Sequence, residues 1–412
     1  MLDRYLKDEA AVQRMRALPV GAHLDAFAAV LCALGYARDS IRDRLWTLAA
    51  LGRWLTRGGL SVVDLRPDIV AAFLRPRRQR ARVHRGAAAT LRLFLEYLEQ
   101  QAVIPPAPSS SSTPLALLKA RYEAHLHHDR GLSPVTGPRH WFVLGRFLRQ
   151  RFGTGAIDPR AITIEDVTRF VSEEIPARSP ASAQLHASTM RSFLRFLWQT
   201  GQTARDLTAA IPPVRRWRLV DVPKYLTADD VQRVLEACPR ASAVGRRDYA
   251  ILLLLARLGL RGGEIVRLEL DDIDWHTGEL LVRGKGSVRS QLPLPCDVGE
   301  AVAAYLQRDR PRCATRRLFV RGRAPHRGFG HPSSVSTLVR VALTRAGVNA
   351  PMHGAHVLRH SLATELLRRG ASLADIGDVL RHQQSQTTEI YAKVDLTRLR
   401  LLAQPWPSGG GQ

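Results

Sequence analysis

The sequence predicts a mainly α-helical protein with one small antiparallel β element, and three observations lead to that prediction. Apolar residues recur at three- and four-residue spacing along much of the 412-residue chain, which is the pattern of amphipathic helices. Two short runs, 279–283 and 291–294, are predicted strands on either side of a glycine-containing loop. Hydrophobic residues make up 45% of the chain, enough to bury real cores, and the length allows two or three domains.

The charge balance points to a polyanionic partner. Lys and Arg total 61 against 37 Asp and Glu, which gives a formal net charge of +24 and a pI of about 11.1. Solubility alone needs far less charge than this. Only five of the 61 basic residues are Lys, and a GC-rich genome accounts for that preference, but not for the excess over acidic residues. Nucleic acid is the polyanion that such an excess favours.

Cysteine usage and the apolar segments favour a cytoplasmic protein. The four cysteines, at 32, 238, 296 and 313, form no C-x-x-C pair and suggest neither a zinc site nor a disulfide framework. Residues 1–20 carry charges of both signs and lack an apolar signal core. The apolar run 249–256 is far shorter than the ~20 residues of a membrane span. We therefore expect a protein of the reducing cytoplasm, associated with the nucleoid and not with a membrane.

Residues 1–102 are predicted to form an N-terminal helical domain. Apolar residues between 24 and 31 follow the helical period, and residues 90–101 place their apolar side chains on one helix face. Ser40 is the predicted N-cap of a helix that Gly58 and Gly59 end. The basic segment 75–85 is either a solvated loop or a contact for phosphates, and its composition favours neither.

A second helical domain, 115–207, follows a linker rich in proline and serine at 103–114. This domain repeats the first one in sequence. Residues 51–55, 70–73 and 93–98 align with residues 144–148, 167–170 and 192–197, at offsets of 93, 97 and 99 residues. The small changes in offset indicate short loop insertions, so the pattern predicts a duplicated domain. Chance similarity between two sets of amphipathic helices is the alternative.

A basic linker, 208–224, leads to the C-terminal domain, 225–412. Thr227 is predicted to cap a helix, with Asp230 three residues later. An apolar helix over 248–260 then ends at Arg261, and the two predicted strands enclose the loop 284–290, which carries Lys285. Further helices are predicted over 299–308, 334–346, 357–369 and 372–381, and the last of them leads to His382.

The C-terminal domain concentrates side chains that suit phosphodiester chemistry. They are Arg261, Lys285, His356, Arg359, His382 and Tyr391. Arginine donates two parallel hydrogen bonds to a phosphate, so two arginines can clamp a phosphodiester as its oxygens gain charge. A tyrosine hydroxyl, with a pKa near ~10, attacks only when a base such as histidine removes its proton. A lysine can protonate the leaving oxygen, and the set needs no metal, cofactor or ATP.

These residues lie in segments that resemble the tyrosine site-specific recombinases, the phage integrase family. The matching segments are 258–275, 281–295 and 353–394, within residues 221–394. They contain a G-L-R-x-x-E box at 259–264, an H-x-x-R-H box at 356–360, and a tyrosine nine residues after His382. Each motif is weak alone, and together they are highly specific. One departure is Arg381, which stands where the family usually has glycine.

The resemblance implies an architecture and a set of partners. It implies a helical domain that grips one face of DNA, placed directly before a mixed α+β tyrosine-recombinase catalytic domain. The first helical block would be an extra grip or a protein-contact module. The partner would be double-stranded DNA, with two sites paired by four subunits, either copies of this chain or related recombinases. The C-terminal tail would pack on a neighbouring subunit or on its own domain.

The resemblance also implies a role for each reactive residue. Arg261 and Arg359 would clamp the phosphate, and His382 would donate a further hydrogen bond to it. Lys285 would protonate the leaving 5′ oxygen. His356 would exchange a proton with the nucleophile, Tyr391. The reaction would pass through a 3′-phosphotyrosyl intermediate and a Holliday junction, in the integration, excision, inversion or transposition of mobile DNA.

Three alternatives fit the sequence less well. A zinc site at His353, His356 and His360 lacks the H-E-x-x-H pattern and a completing cysteine or carboxylate. A relative that binds DNA without cutting it would be favoured by the loss of a reactive residue, and all six are present. A type IB topoisomerase shares the chemistry, but two helical modules ahead of the catalytic domain favour ordered pairing of DNA sites over simple relaxation.

Overall fold

The computed structural model describes residues 1–6, 8–79, 86–105, 113–153, 155–214, 222–284 and 288–394. Among these residues helices dominate and the strands form one antiparallel sheet, so the predicted fold class is confirmed. Several predictions fall outside the described residues: most of the basic segment 75–85, most of the linker 103–114, residues 215–221 of the basic linker 208–224, Lys285, and the tail from 395. No single described helix is long and apolar enough to cross a membrane. Two successive helices, Glu9–Arg16 and Gly21–Ala33, reach that length and apolarity only when they are taken together, and the chain bends by 113° between them.

The helices of the N-terminal block pack around aromatic rings. These helices are α1 (Glu9–Arg16), α2 (Gly21–Ala33), α3 (Arg38–Arg57), α4 (Pro67–Gln79) and α5 (Ala87–Gln100). The Phe27 ring of α2 lies 5.1 Å from Phe94 and 5.5 Å from Tyr97, both of α5, between ring centroids. Trp54 of α3 lies 5.8 Å from Phe73 of α4. Inclined rings at these distances stabilise a core beyond the area that they bury.

The middle block is a second helical bundle with its own aromatic core. Its helices are α6 (Pro114–Ala124), α7 (Thr136–Phe152), α8 (Ile164–Glu174) and α9 (Pro180–Gln199). The Tyr122 ring of α6 lies 5.2 Å from both Phe193 and Phe196 of α9. Phe147 of α7 lies 5.3 Å from Phe170 of α8.

The two helical blocks have the same ring contacts at aligned positions. The pair Trp54–Phe73, inclined by 73°, aligns at offsets of 93 and 97 with Phe147–Phe170, inclined by 66°. Phe94 and its aligned partner Phe193 each meet another aromatic ring edge-on, at 75° with Phe27 of α2 and at 82° with Tyr122 of α6. In each block a short 3-10 turn, Val62–Asp64 before α4 or Pro159–Ala161 before α8, precedes the helix that carries the second aligned segment. These shared contacts support the predicted duplication, which stays a prediction.

Contacts group the described residues into two compact units, Met1–Tyr97 with Asp221–Gln412, and Leu98–Val220. Within the first unit the turn after α2 touches the C-terminal domain, where the amide of His326 donates a 3.1 Å hydrogen bond to the carbonyl of Leu34. Gly35 in this turn has a φ of +82°, and a Cβ there would lie 2.1 Å from the His326 ring. Residue 35 must therefore be glycine, both because of its positive φ and because the His326 ring leaves no room for a Cβ. The predicted domain boundaries at 102, 114, 207 and 224 stay predictions.

The C-terminal domain is built around one helix whose central segment is fully buried. Its helices are α10 (Ala228–Glu236), α11 (Ala243–Arg257), α12 (Gly262–Arg267), α13 (Cys296–Arg308), α14 (Ser333–Arg345), α15 (His356–Arg368) and α16 (Leu373–Val379). Residues 250–255 of α11 are each at most 1% exposed, because a run of six apolar residues covers every face of a helix. Thr227 caps α10 as predicted, and its hydroxyl accepts a 3.1 Å hydrogen bond from the amide of Asp230.

A three-stranded antiparallel sheet stands beside these helices. Its strands are β1 (Ile273–Asp274), β2 (Glu279–Arg283) and β3 (Arg289–Pro293), in that order. The two predicted strands are confirmed as β2 and β3, whereas the two-residue β1 is too short to leave a sequence pattern. The amide of Gly284 donates a 2.8 Å hydrogen bond to the carbonyl of Val288, so the two residues that flank 285–287 are joined directly.

Two predicted helix ends are wrong. α3 begins at Arg38 with Ala37 as its N-cap, so Ser40 lies inside the helix. α16 ends at Val379, and Arg381, which was predicted to be helical, has a φ of +56°. The amide of Arg381 donates to the carbonyl of Asp378, and that of His382 to the carbonyl of Gly377, both at 2.9 Å. This is the Schellman arrangement, in which a left-handed residue ends the helix.

Candidate active site

Arg261 is held at the start of α12 by a buried carboxylate. It is the N-cap of that helix, and its amide donates a 2.8 Å hydrogen bond to Oε2 of Glu264. Its Nη1 donates to the other carboxylate oxygen, Oε1, also at 2.8 Å. The Glu264 side chain is 1% exposed and the Arg261 side chain is 35% exposed. The G-L-R-x-x-E box therefore fixes a guanidinium that solvent can still reach.

Arg359 ties together the ends of two helices. It is 3% exposed, and its two terminal nitrogens donate to the carbonyl oxygens of Gly259 and Leu380. These carbonyls follow the C-terminal ends of α11 and α16, where helix dipoles favour a cation. Each terminal nitrogen carries a second hydrogen, so the guanidinium retains donors that a phosphate could use.

Tyr391 is buried against α15 and α16. It belongs to the 3-10 segment Glu389–Val394 and is 1% exposed. Its hydroxyl lies 2.8 Å from Nδ1 of His360 on α15. His356 begins the same helix one turn earlier, and the two histidine rings are 6.4 Å apart. His360, and not His356, is thus the histidine that contacts the hydroxyl in this structure.

Burial and nearby positive charge set the protonation states of these groups. Burial raises the pKa of Tyr391 to about 12, although the charges of Arg359 and Arg261 oppose the rise. Burial, followed by the charges of His356 and Arg359, lowers the pKa of His360 to about 4. Near neutral pH the hydroxyl is therefore protonated and His360 is neutral, so Nδ1 of His360 can accept the hydrogen bond from Tyr391.

The same two causes act on the other titratable groups of the site. Burial, followed by the arginine charges, lowers the pKa of His382 to about 4, and its Nδ1 lies 2.7 Å from the hydroxyl oxygen of Thr388. Burial and the charge of Arg261 lower the pKa of Arg359 to about 10. His356 is open to solvent on one side, but desolvation by its surroundings and the charges of Arg359 and Arg261 still lower its pKa.

A pocket of about 350 Å³ is lined by Arg261 and Glu264 from α12, and by Arg381 and His382 from the turn after α16. Gly284 and Val288, the residues that flank 285–287 in the hairpin, line it as well. Lys285 lies outside the described residues, but both ends of its loop border this pocket. Tyr391 is buried and is not among the lining residues.

No three His, Cys, Asp or Glu side chains converge to hold a metal ion in the part of the chain that the structure describes. His353, His356 and His360 thus do not form a ligand set. Among the described residues of the site the positive charges come from arginine side chains, and these can stabilise the charge of a phosphate directly.

Three contacts in this region were not predicted from the sequence. Glu264 lies three residues after Arg261, which is capping-box spacing, so its hydrogen bond to the Arg261 amide could have been predicted. His360 lies four residues after His356, which puts both on one helix face, but nothing local indicates that it meets Tyr391. No sequence signal identifies Thr388 as the partner of His382.

Comparison with known proteins places the sequence motifs in a family context. The sequence pattern of the phage integrase family matches residues 224–398. Integrase/recombinase y4rA of Sinorhizobium fredii is 42% identical over 405 residues, which cover 98% of each chain. Tyrosine recombinase XerD of Mycobacterium tuberculosis is 33% identical over 304 residues, which cover 69% of this chain and 96% of XerD. The match to y4rA therefore includes the N-terminal block.

A solved structure shares the fold. XerH site-specific recombinase, bound to a palindromic difH substrate in a post-cleavage complex, aligns with a TM-score of 0.54 at 20% sequence identity. The alignment covers 70% of this chain and 84% of the XerH chain. At this identity the likeness concerns the fold alone.

Proposed function

Because this chain belongs to the phage integrase family of tyrosine recombinases, we propose that it cuts and rejoins DNA strands through a covalent bond between Tyr391 and a 3′-phosphate. Family membership makes the protein an enzyme of site-specific DNA recombination. The proposal adds the chemical intermediate and the role of each side chain.

One observation carries the proposal. A single tyrosine hydroxyl lies beside a neutral histidine, at a place where the charges of Arg359 and Arg261 act on it. The histidine can accept the proton that the hydroxyl must lose, and the two positive charges favour the resulting tyrosinate. The same two guanidinium groups suit the non-bridging oxygens of a phosphodiester. A nucleophile and a proton acceptor are thus in contact, and the two guanidinium groups act electrostatically on the same hydroxyl.

In the first step the oxygen of Tyr391 forms a bond to phosphorus, and the bond from phosphorus to the 5′ oxygen breaks. The proton of Tyr391 passes to His360, the histidine in contact with its hydroxyl. His356, the acid–base residue that the family resemblance implies, lies one turn earlier on the same helix. Lys285 gives a proton to the leaving 5′ oxygen. Arg261 and Arg359, with His382 as a further donor, hold the non-bridging oxygens while negative charge develops there.

The second step reverses the first with a different strand. The oxygen of a 5′ hydroxyl forms a bond to phosphorus and its proton returns to Lys285. The bond from phosphorus to the Tyr391 oxygen breaks, that oxygen regains its proton from the histidine, and a new phosphodiester forms. The number of phosphoester bonds is the same before and after, so no ATP is needed. Side chains supply the positive charge throughout, so we propose that the reaction requires no metal ion.

The partner is double-stranded DNA, in keeping with the net charge of +24. We propose that four subunits, copies of this chain or related recombinases, pair two DNA sites and exchange strands through a Holliday junction. The reaction would move, insert or remove mobile DNA. Since the proposed substrate is double-stranded DNA, we expect the enzyme in the cytoplasm with the nucleoid.

Covalent capture tests this function. The full-length protein is incubated with nicked suicide duplexes that carry a randomised region, and the mixture is run on a denaturing gel. Wild-type protein should stay covalently attached to a DNA strand on the denaturing gel. The sequences of the attached strands should share a common target site. Tyr391→Phe should bind the same DNA but retain none, because it lacks the attacking oxygen.

Two further arms sharpen the result. Excess EDTA should leave the wild-type complex unchanged, and loss of the complex with recovery on adding magnesium or zinc would contradict the metal-free mechanism. A Tyr391→Phe protein that still retains DNA would contradict the assignment of the nucleophile. Relaxation of a supercoiled plasmid without a target site would instead support topoisomerase activity.

A further inference from the structure

Arg381 occupies a backbone position that normally belongs to glycine. It is the left-handed residue of the Schellman turn after α16, with a φ of +56°. A side chain at such a position crowds the backbone, and glycine is the usual solution. A long charged residue there must make interactions that offset this strain. Its contacts therefore show what the residue does.

The Arg381 side chain points into the protein and is 10% exposed. Its Nη2 lies 3.2 Å from Oε2 of Glu264, a residue 117 positions away in the chain. Its Nη1 donates to the carbonyls of Val379 at 3.0 Å and Leu258 at 3.4 Å. Its Nε is buried and has no hydrogen-bond partner in the structure. Arg381 thus joins the turn that carries His382 to the segment that carries Arg261.

Glu264 is shared between two arginines. Its carboxylate accepts from the side chain and the amide of Arg261, both at 2.8 Å, and from Arg381. A carboxylate with Arg261 alone would form a neutral pair, and that pair would attract a phosphodiester weakly. With Arg381 the cluster of three side chains carries one net positive charge. All three line the pocket, beside His382.

We propose that Arg381 is a positioning residue for phosphodiester transfer, which neutralises Glu264 so that the guanidinium of Arg261 is free to bind the scissile phosphate. The same contact fixes the turn of His382 against the segment of Arg261. This inference rests on the proposed function, because it concerns the phosphate that Tyr391 attacks.

A set of five variants tests the inference on the captured target duplex. Arg381→Gly and Arg381→Asn remove the charge with residues that tolerate a positive φ. Arg381→Lys keeps the charge. Glu264→Gln removes the carboxylate, alone and together with Arg381→Gly. The measured quantities are the rate of covalent complex formation at saturating protein and the Kd for the duplex.

The glycine and asparagine variants should form the covalent complex at least about tenfold more slowly, with little change in Kd, because a buried charged contact is lost. The lysine variant should lie closer to wild type. Adding Glu264→Gln to Arg381→Gly should raise the rate, since no uncompensated carboxylate then holds Arg261. If Arg381 had a merely structural role, adding Glu264→Gln would lower the rate of covalent complex formation further instead of raising it.

The control is Arg369→Ala, which removes one positive charge from an exposed ion pair with Glu365 on the same domain. It should leave both the rate and the Kd unchanged. A lower rate in the double variant than in Arg381→Gly would overturn the inference. So would glycine and asparagine variants that both fail to unfold cooperatively, since Arg381 would then be a folding residue. Absence of a covalent complex with wild-type protein would contradict the proposed function instead.

Discussion

Tyr391 and His360 form a pair whose state depends on pH. The pKa of His360 lies at about 4, below its ordinary value of 6.5, because the ring is buried among positive charges. Folding therefore favours the neutral ring. Its contribution to stability is complete above pH 6.5 and is lost as the pH falls from there towards 4. A protonated His360 also has no lone pair on Nδ1 for the Tyr391 hydroxyl.

Substitution of His360 should make stability less sensitive to acid. Between pH 7 and pH 4, the free energy of unfolding of wild-type protein should fall by about 1–3 kcal/mol more than that of His360→Gln, which has nothing to protonate. Urea unfolding at several pH values measures the difference. His353→Gln, which alters an exposed histidine, should follow wild type. Parallel curves for wild type and His360→Gln would contradict the buried neutral histidine.

At the scale of elements, the described ends of the β2–β3 hairpin, Gly284 and Val288, line the pocket, and the residue predicted to be the acid, Lys285, lies between them in the sequence. Lys285→Ala should slow cleavage about 100-fold or more, because the 5′ oxygen must then leave without a proton. A duplex with sulfur at that bridging position should restore most of the rate, since a thiolate leaves without protonation.

The control for this experiment is Arg289→Ala, an exposed residue of the same hairpin that does not line the pocket. It should cleave both duplexes like wild type. If the sulfur duplex and the normal duplex are equally slow with Lys285→Ala, then Lys285 acts in binding or positioning and is not the acid.

The helices and the hairpin could be predicted because each is encoded by neighbouring residues. Thr227 with Asp230 marks the start of α10, and the apolar run inside α11 marks a buried helix. The turn at Arg381 could not be predicted in this way. Glycine normally marks such a turn, and the arginine there is held by Glu264, which lies 117 residues away. The contact between His360 and Tyr391 likewise depends on packing between segments 31 residues apart.

At the scale of the whole molecule, the N-terminal block should be dispensable for strand cleavage. Every assigned reactive residue lies beyond 260, so the fragment 103–412 should still form the covalent complex. Its DNA affinity should be lower, and log Kd should change less steeply with log salt, because the deleted block carries the basic segment 75–85. Circular dichroism melting and a salt series of binding measurements check both statements.

A variant that weakens the contact between Leu34 and His326, without removing the N-terminal block, is the matched control for this deletion. Gly35→Ala places a Cβ against the His326 ring and strains a φ of +82°, so it should loosen the contact while keeping the block. It should therefore lower the melting temperature of the full chain but leave the salt dependence unchanged. A fragment 103–412 that does not melt cooperatively would show that the N-terminal block belongs to the fold of the catalytic domain.

The same contact affects how the protein can be synthesised. A ribosome makes about 5–20 residues per second, so His326 emerges roughly 15–60 s after Leu34, its partner 292 residues earlier. The whole of Leu98–Val220 is translated in that interval and can fold first. The surface around Gly35 stays without its partner until then. A translational pause between these two points would lengthen its exposure to chaperones and proteases.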